Sequence, residues 1–250
     1  MKYIDLIEEL KQEKDKVINK QALSELYAKT YKNKHHRSFE NVLSYLKRNN
    51  VITELEKDRY MLVTKEIYEY REDDKVKEIY ELIKKEYPEI DLIVWNTAVI
   101  NDFTLHYSIN NYIVVEIERI AIEIVVALLK EMYFNKYTVV TQDMLNSNRD
   151  FYLNDEKFVV VKPLLIKAPL VRKNNKKYPT LEKIMVDLYR DKLYMQFQGR
   201  ELRRIYENIF EKYDINMRKL IKYASERMDV EVYKEYINKL YIPSKYKLEG

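Results

Sequence analysis

The sequence predicts an α/β protein, in which an N-terminal winged helix-turn-helix precedes an α/β sheet domain with a C-terminal helical subdomain. Three observations predict this class. Residues 1–70 change from helical to strand spacing, residues 91–162 alternate between apolar runs and helical stretches, and the chain after Pro179 is helical. A charged stretch at 70–75 separates the first two patterns, so we expect domains at 1–72 and 73–250.

Apolar residues at helical spacing predict three helices before residue 50. Ile4, Ile7 and Leu10 share one face of the first helix. Asn19 is expected to cap the second helix and Ser38 the third, because short polar side chains at this position accept a backbone N–H. The third helix has its apolar face at Phe39, Val42, Leu43 and Leu46.

A β-hairpin is predicted directly after the third helix. Residues 51–55 and 60–63 have strand spacing and flank a polar turn at 56–59. Three helices followed by a hairpin within about 65 residues is the order of a winged helix-turn-helix. In that arrangement the third helix reads the DNA and the hairpin is the wing.

The second region is predicted to hold a sheet with crossover helices, partly parallel. Strands are expected at 91–95, 112–117, 137–141 and 158–162. Helices are expected between them at 97–107, 119–134 and 142–152, and after Pro179 at 180–192, 198–213, 216–228 and 230–240.

The composition excludes several kinds of site. The chain has two glycines and no cysteine, where average usage predicts about 17 glycines. It therefore lacks the glycine-rich phosphate loops, the glycine-flanked nucleophile elbow and Cys-rich metal sites. Three histidines leave little for a histidine metal cage. We expect no cofactor, no metal site and no catalysis.

We also expect a cytoplasmic protein that does not contact membranes. The N-terminus is charged and amphipathic, without the apolar core of a signal peptide. The most apolar run, at 120–129, is interrupted by Glu123 and is shorter than the roughly 20 residues of a membrane helix.

A basic segment around the third helix predicts a DNA interface. Residues 29–48 contain six Lys or Arg and one acid, Glu40. Arg37, Asn41, Ser44 and Arg48 lie opposite the apolar face, where Arg can bind guanine and Asn can bind adenine. The expected DNA-binding residues are Lys34, His36, Arg37, Asn41, Ser44, Lys47, Arg48, Lys57 and Arg59. The same pattern also fits a winged helix that contacts protein, or a solvated helix face.

Three stretches of the second region form a recognisable set: Val94–Thr97 with Asn101, Phe103 and His106, then Pro179–Leu188, then Tyr213–Asn216 with Leu220, Tyr223, Ala224 and Arg227. Together they resemble the AbiEi-like family, the antitoxin and transcriptional-regulator half of bacterial abortive-infection systems. The resemblance covers about residues 90–227. It implies an N-terminal domain that binds operator DNA and represses its own operon, and a second domain that counters a nucleotidyltransferase-type toxin. A palindromic operator needs two reading helices, which predicts a homodimer or two molecules on one site.

A second basic run is predicted to form an exposed loop. Arg172, Lys173, Lys176 and Lys177 lie in a segment without acids. They would form a second basic surface for flanking DNA, an acidic toxin or RNA, or would be solvated.

One catalytic alternative is a metal-dependent nuclease. Asp91, Glu116 and Glu118 lie on neighbouring predicted strands, where carboxylates can hold Mg²⁺. Nucleases of this type carry a lysine two positions after the second carboxylate, and here Glu118 occupies that position. The missing lysine counts against this alternative.

Helix 180–192 is expected to bury Leu181, Ile184, Met185 and Leu188.

Overall fold

The computed structural model describes residues 3–12, 17–31, 38–63, 65–66, 68–105, 111–147 and 157–248. The helices are α1 (Ile4–Gln12), α2 (Lys20–Thr30), α3 (Phe39–Arg48), α4 (Asp74–Glu86), α5 (Ile122–Met132), α6 (Gln142–Ser147), α7 (Leu181–Arg190), α8 (Arg200–Lys212), α9 (Met217–Ser225) and α10 (Val230–Lys239). The strands are β1 (Val17–Asn19), β2 (Ile52–Glu56), β3 (Arg59–Leu62), β4 (Leu92–Asn96), β5 (Ile113–Ile117), β6 (Thr138–Thr141), β7 (Phe158–Pro163), β8 (Leu170–Lys173) and β9 (Lys176–Pro179). The protein is therefore of the mixed α/β class that the sequence predicts.

The chain divides into two compact units. The first unit combines residues 1–68 with 209–250, and the second unit is 69–208. This grouping differs from the predicted domains at 1–72 and 73–250, because residues 209–250 group with the N-terminal segment. Their contacts explain the grouping. Asp214 accepts a hydrogen bond from the backbone N–H of Lys65 at 2.9 Å.

The first unit has three helices and a three-stranded antiparallel sheet at its N-terminal end. The strand order is β1-β3-β2. Side chains of α1, α2, α3 and the hairpin form one apolar core, which includes Leu6, Leu23, Leu46 and Tyr60. The sequence analysis did not predict β1, whose three residues are too few to show an alternating pattern.

Both α2 and α3 begin where the sequence predicts, but only the Asn19 cap is confirmed as a side-chain cap. The Asn19 side chain accepts a hydrogen bond from the backbone N–H of Ala22 at 2.7 Å and caps α2. Ser38 occupies the N-cap position of α3, but its backbone carbonyl accepts the hydrogen bond from Asn41 rather than its side chain. The hairpin is also confirmed, with Asp58 in the left-handed region at φ 59° in the turn.

The second unit is built on a four-stranded mixed sheet of order β4-β5-β7-β6. β4 and β5 are antiparallel, whereas β5–β7 and β6–β7 are parallel, which confirms the partly parallel prediction. One face of the sheet packs against α4 and α5 in an apolar core. The predicted helix at 97–107 is a 3₁₀ helix at Thr97–Phe103. Helix α4 was not predicted, although Asp73 caps it by accepting the Val76 N–H at 2.8 Å.

The second basic run forms a β-hairpin and not the exposed loop that the sequence predicted. β8 and β9 pair antiparallel, with Arg172 opposite Lys177 and Lys173 opposite Lys176. Asn174 and Asn175 form the two-residue turn at φ 50° and 62°. Asparagine tolerates this left-handed conformation, which two-residue hairpin turns require.

Within the described residues, no helix combines the length and the apolar character that crossing a membrane would require.

Candidate nucleic-acid interface

The structure exposes one face of α3 and buries the other. Asn41, Ser44 and Arg48 are exposed, at the i, i+3 and i+7 positions of one face. Val42 and Leu46 on the opposite face are completely buried. The predicted polar face of the third helix is therefore present, and it carries an amide, a hydroxyl and a guanidinium that can hydrogen-bond to base edges.

The remaining predicted DNA-binding residues have different positions. Lys34, His36 and Arg37 lie outside the described residues. Lys57 is exposed at the tip of the hairpin. Arg59 donates a hydrogen bond from Nη1 to Glu56 Oε2 at 2.9 Å, so the guanidinium is held against its own hairpin.

Lys47 has a structural partner that the sequence analysis missed. Its Nζ donates to Glu54 Oε2 at 2.9 Å and lies 5.6 Å from the centre of the Tyr60 ring. Arg218 of α9 donates to the other oxygen of Glu54 at 2.5 Å. Glu54 is only 6% exposed. Lys47 thus fixes α3 on β2, and its charge compensates a buried carboxylate.

The two cations determine the ionisation of Glu54. Burial alone raises the pKa of a carboxyl group, because it disfavours the charged form. Here the hydrogen bond and charge of Lys47, together with the charge of Arg218, outweigh burial and lower the pKa of Glu54. The carboxylate therefore stays ionised, and it links α3, through Lys47, to α9, through Arg218.

The second basic surface is paired with carboxylates of its own unit. Lys173 Nζ lies 2.6 Å from Glu69, Lys176 Nζ lies 3.1 Å from Glu72, and Lys177 Nζ lies 2.5 Å from Asp91. Arg172 is exposed. These ion pairs offset most of the positive charge that the sequence places in this segment.

The three carboxylates of the nuclease alternative have separate partners. Asp91 binds Lys177, and Glu118 Oε1 accepts a hydrogen bond from the Asp91 backbone N–H at 3.1 Å. Glu116 is buried and accepts from Trp95 Nε1 at 2.9 Å. In the part of the chain that the structure describes, no three His, Cys, Asp or Glu side chains converge in a group able to hold a metal ion.

Glu116 belongs to a buried ionic network on the face of the sheet opposite the α4–α5 core. Lys183 Nζ contacts Glu116 Oε1 at 2.5 Å and Asp187 Oδ2 at 2.6 Å. Lys162 Nζ contacts Asp191 at 2.7 Å and lies 3.8 Å from Asp187. We call these five residues the buried network. Helix α7 therefore buries Lys183 and Asp187 in addition to its predicted apolar stripe.

The charges of the buried network shift the pKa of the groups within it. Burial lowers the pKa of Lys162, but the charges of Asp187, Glu116 and Asp191 outweigh it, and the pKa is raised. Tyr194 lies beside Lys162, with its ring centre 5.7 Å from Nζ. Burial and then the same carboxylates raise the pKa of Tyr194. At neutral pH Lys162 therefore holds its proton and compensates the carboxylates around it.

The comparisons with known proteins identify a family but no function. The sequence model of a family described as "Family of unknown function (DUF6577)" matches residues 38–243. No curated protein matches the chain. No solved structure matches it either.

Proposed function

Since the chain belongs to the DUF6577 family, whose function is unknown, we propose a function from its own residues: it is a DNA-binding transcriptional regulator. The N-terminal part of its first unit is a winged helix-turn-helix that binds double-stranded DNA. Helix α3 enters the major groove, and the β2–β3 hairpin is the wing.

The order of elements supports the winged helix. Helix α1, strand β1, helices α2 and α3, and the hairpin β2–β3 follow one another, and β1 completes a small antiparallel sheet with the hairpin. This order is that of winged helix-turn-helix domains. The short strands and the hairpin that follows α3 support the proposal that this hairpin is the wing.

The exposed face of α3 carries the proposal. Asn41, Ser44 and Arg48 face solvent on a helix whose other side buries Val42, Leu43 and Leu46. Arg48 would bind guanine O6 and N7, and Asn41 would bind adenine N6 and N7. Lys57 at the hairpin tip would contact phosphate, which positions the domain without reading sequence.

A selection from random DNA duplexes with the full chain tests the proposal, followed by fluorescence anisotropy on the selected duplex. We expect the logarithm of the binding constant to fall linearly with the logarithm of salt concentration. Arg48→Ala should weaken binding by about 1–3 kcal/mol and relax specificity at one base pair. Arg204→Ala, which removes an exposed arginine of the second unit, is the matched control.

Two results would refute DNA reading by α3. One is binding that does not change with salt. The other is an Arg48→Ala variant with unaltered affinity and base preference. If no duplex is selected at all, the alternative to this proposal applies, in which the winged helix binds protein and not DNA.

We further propose that this regulator is the antitoxin half of an abortive-infection system, as its resemblance to AbiEi-like proteins implies. It would repress its own operon and counter a nucleotidyltransferase-type toxin. Footprinting on the DNA upstream of its gene would give the operator, and footprint length with stoichiometry would show whether a homodimer binds. Growth rescue after co-expression with a neighbouring nucleotidyltransferase gene tests the antitoxin role, and growth arrest despite co-expression would refute it.

A further inference from the structure

A cleft of about 900 Å³ opens on the second unit beside edge strand β6. It is lined by Lys130, Phe134, Asn135, Lys136, Tyr137, Thr138, Val139, Val140, Met144 and Lys157. Three of these residues are lysines, two are aromatic, and none of these lining residues is acidic. The volume lies within the range of pockets that bind small molecules.

The cleft presents an aromatic ring to solvent. Phe134 is 79% exposed, although it lies in an ordered turn. That turn is fixed by a hydrogen bond from the Lys136 N–H to the Tyr133 carbonyl at 2.8 Å, and Asn135 adopts φ 63° within it. A phenylalanine held outward in this way offers a face on which a planar group can stack.

The lysines provide cations at separate points of the cleft. Lys130 is exposed on the last turn of α5, and no ion-pair partner contacts it within the described part of the chain. Lys136 is held in place by Glu78 at 3.2 Å and by the rings of Tyr133 and Tyr137 at 5.1 and 5.7 Å. Lys157 is exposed just before β7. Lysine binds phosphate as a point charge.

We infer that this cleft binds a phosphorylated nucleobase, supplied either by a free nucleotide or by a single-stranded nucleic acid. The base stacks on Phe134, and the phosphates contact Lys130 and Lys157. Cations combined with an exposed aromatic ring are the two components of sequence-tolerant single-strand binding sites. The inference concerns the second unit only and does not depend on DNA reading by α3.

Anisotropy of a 5′-fluorescein-labelled 20-nucleotide oligothymidylate, measured with the full chain, tests the inference. We expect binding that Phe134→Leu weakens at least about fivefold and that Phe134→Trp retains, because stacking needs a π face and not only apolar contact. The double variant Lys130→Gln/Lys157→Gln should lower the slope of log affinity against log salt by about 1.4. Lys75→Gln/Lys77→Gln removes two exposed charges of the same unit as a control.

Two further measurements identify the ligand and its site. Calorimetry with AMP separates the sources: affinity equal to that of the oligonucleotide assigns a mononucleotide site, and much weaker affinity assigns a strand site. Arg48→Ala should leave oligothymidylate binding unchanged, whereas it weakens duplex binding if α3 reads DNA. The fluorescence of Trp95 and the circular dichroism of each variant verify its fold.

Several results would overturn the inference. Absence of binding to both probes is one, and equal affinity of Phe134→Leu and the wild type is another. The cleft would instead bind acidic peptides if a decaglutamate peptide displaced the oligonucleotide at equal concentration. Loss of binding in Arg48→Ala but not in the cleft variants would assign the oligonucleotide to α3.

Discussion

Substitution of Lys183 by Met should strongly destabilise the second unit, because it leaves two buried carboxylates without their common cation. Lys183 is fully buried, and its Nζ contacts both Glu116 and Asp187. Removal of one partner from a buried ion pair costs about 3–5 kcal/mol. Lys162 still lies 3.8 Å from Asp187. We therefore expect a loss of about 3 kcal/mol in the free energy of unfolding.

Urea unfolding followed by tryptophan fluorescence measures this loss. Trp95 is the only tryptophan of the chain, and it is fully buried with its Nε1 bonded to Glu116. Its emission therefore reports directly on the buried network. With a slope of about 1–3 kcal/mol per molar urea, the unfolding midpoint should fall by about 1–3 M.

The double variant Glu116→Gln/Lys183→Met provides the control. The introduced glutamine side chain is neutral and still offers an oxygen to Trp95, so this variant should be more stable than Lys183→Met alone. A loss below about 1 kcal/mol, or a double variant less stable than the single one, would refute the reasoning.

Other predictions concern stability and its dependence on pH. The lowered pKa of Glu54 contributes stability that is present above its ordinary value of 4.5 and is lost as the pH falls, so Glu54→Gln should flatten the fall in melting temperature between about pH 5 and 3. The raised pKa values of Lys162 and Tyr194 contribute stability that is complete below their ordinary values of 10.5 and 10.0 and is lost above them. Circular dichroism should therefore show alkaline unfolding that begins above about pH 10. Unfolding that begins at pH 8 would contradict this prediction. Asn19→Ala should cost about 0.5–2 kcal/mol through loss of the α2 cap, and Gln21→Ala, a neighbouring substitution that leaves the cap, should cost less. Deletion of 209–250 should abolish duplex binding together with the cooperative melting of the first unit, whereas retention of both would contradict the grouping.

Much of the fold was predictable because buried strands and helices show periodic apolar residues. Strand β5 was predicted at 112–117 and extends over Ile113–Ile117. The hairpin β8–β9 was not predicted, because lysines dominate it and its ion-pair partners lie about a hundred residues earlier. Contacts between residues so distant in the sequence leave no periodic pattern.

The same limit applies to the sites. The exposed face of α3 was predictable, because amphipathic spacing alone determines which side of a helix is polar. The role of Lys47 was not predictable. Its partner Glu54 is also bound by Arg218, which lies 164 residues from Glu54 in the sequence. Lys183–Asp187 is the one ion pair of the buried network that is separated by only four residues, a spacing common on solvated helices too.

The first unit is assembled from both ends of the chain, and this has a consequence for synthesis. Translation releases the helices α1, α2 and α3 well before residues 209–250. The second unit, whose residues are continuous, can fold while the chain is still growing. Helix α3 is fixed on β2 through Glu54, which Arg218 also binds, so the proposed DNA-binding unit should be complete only after residues 209–250 have been synthesised.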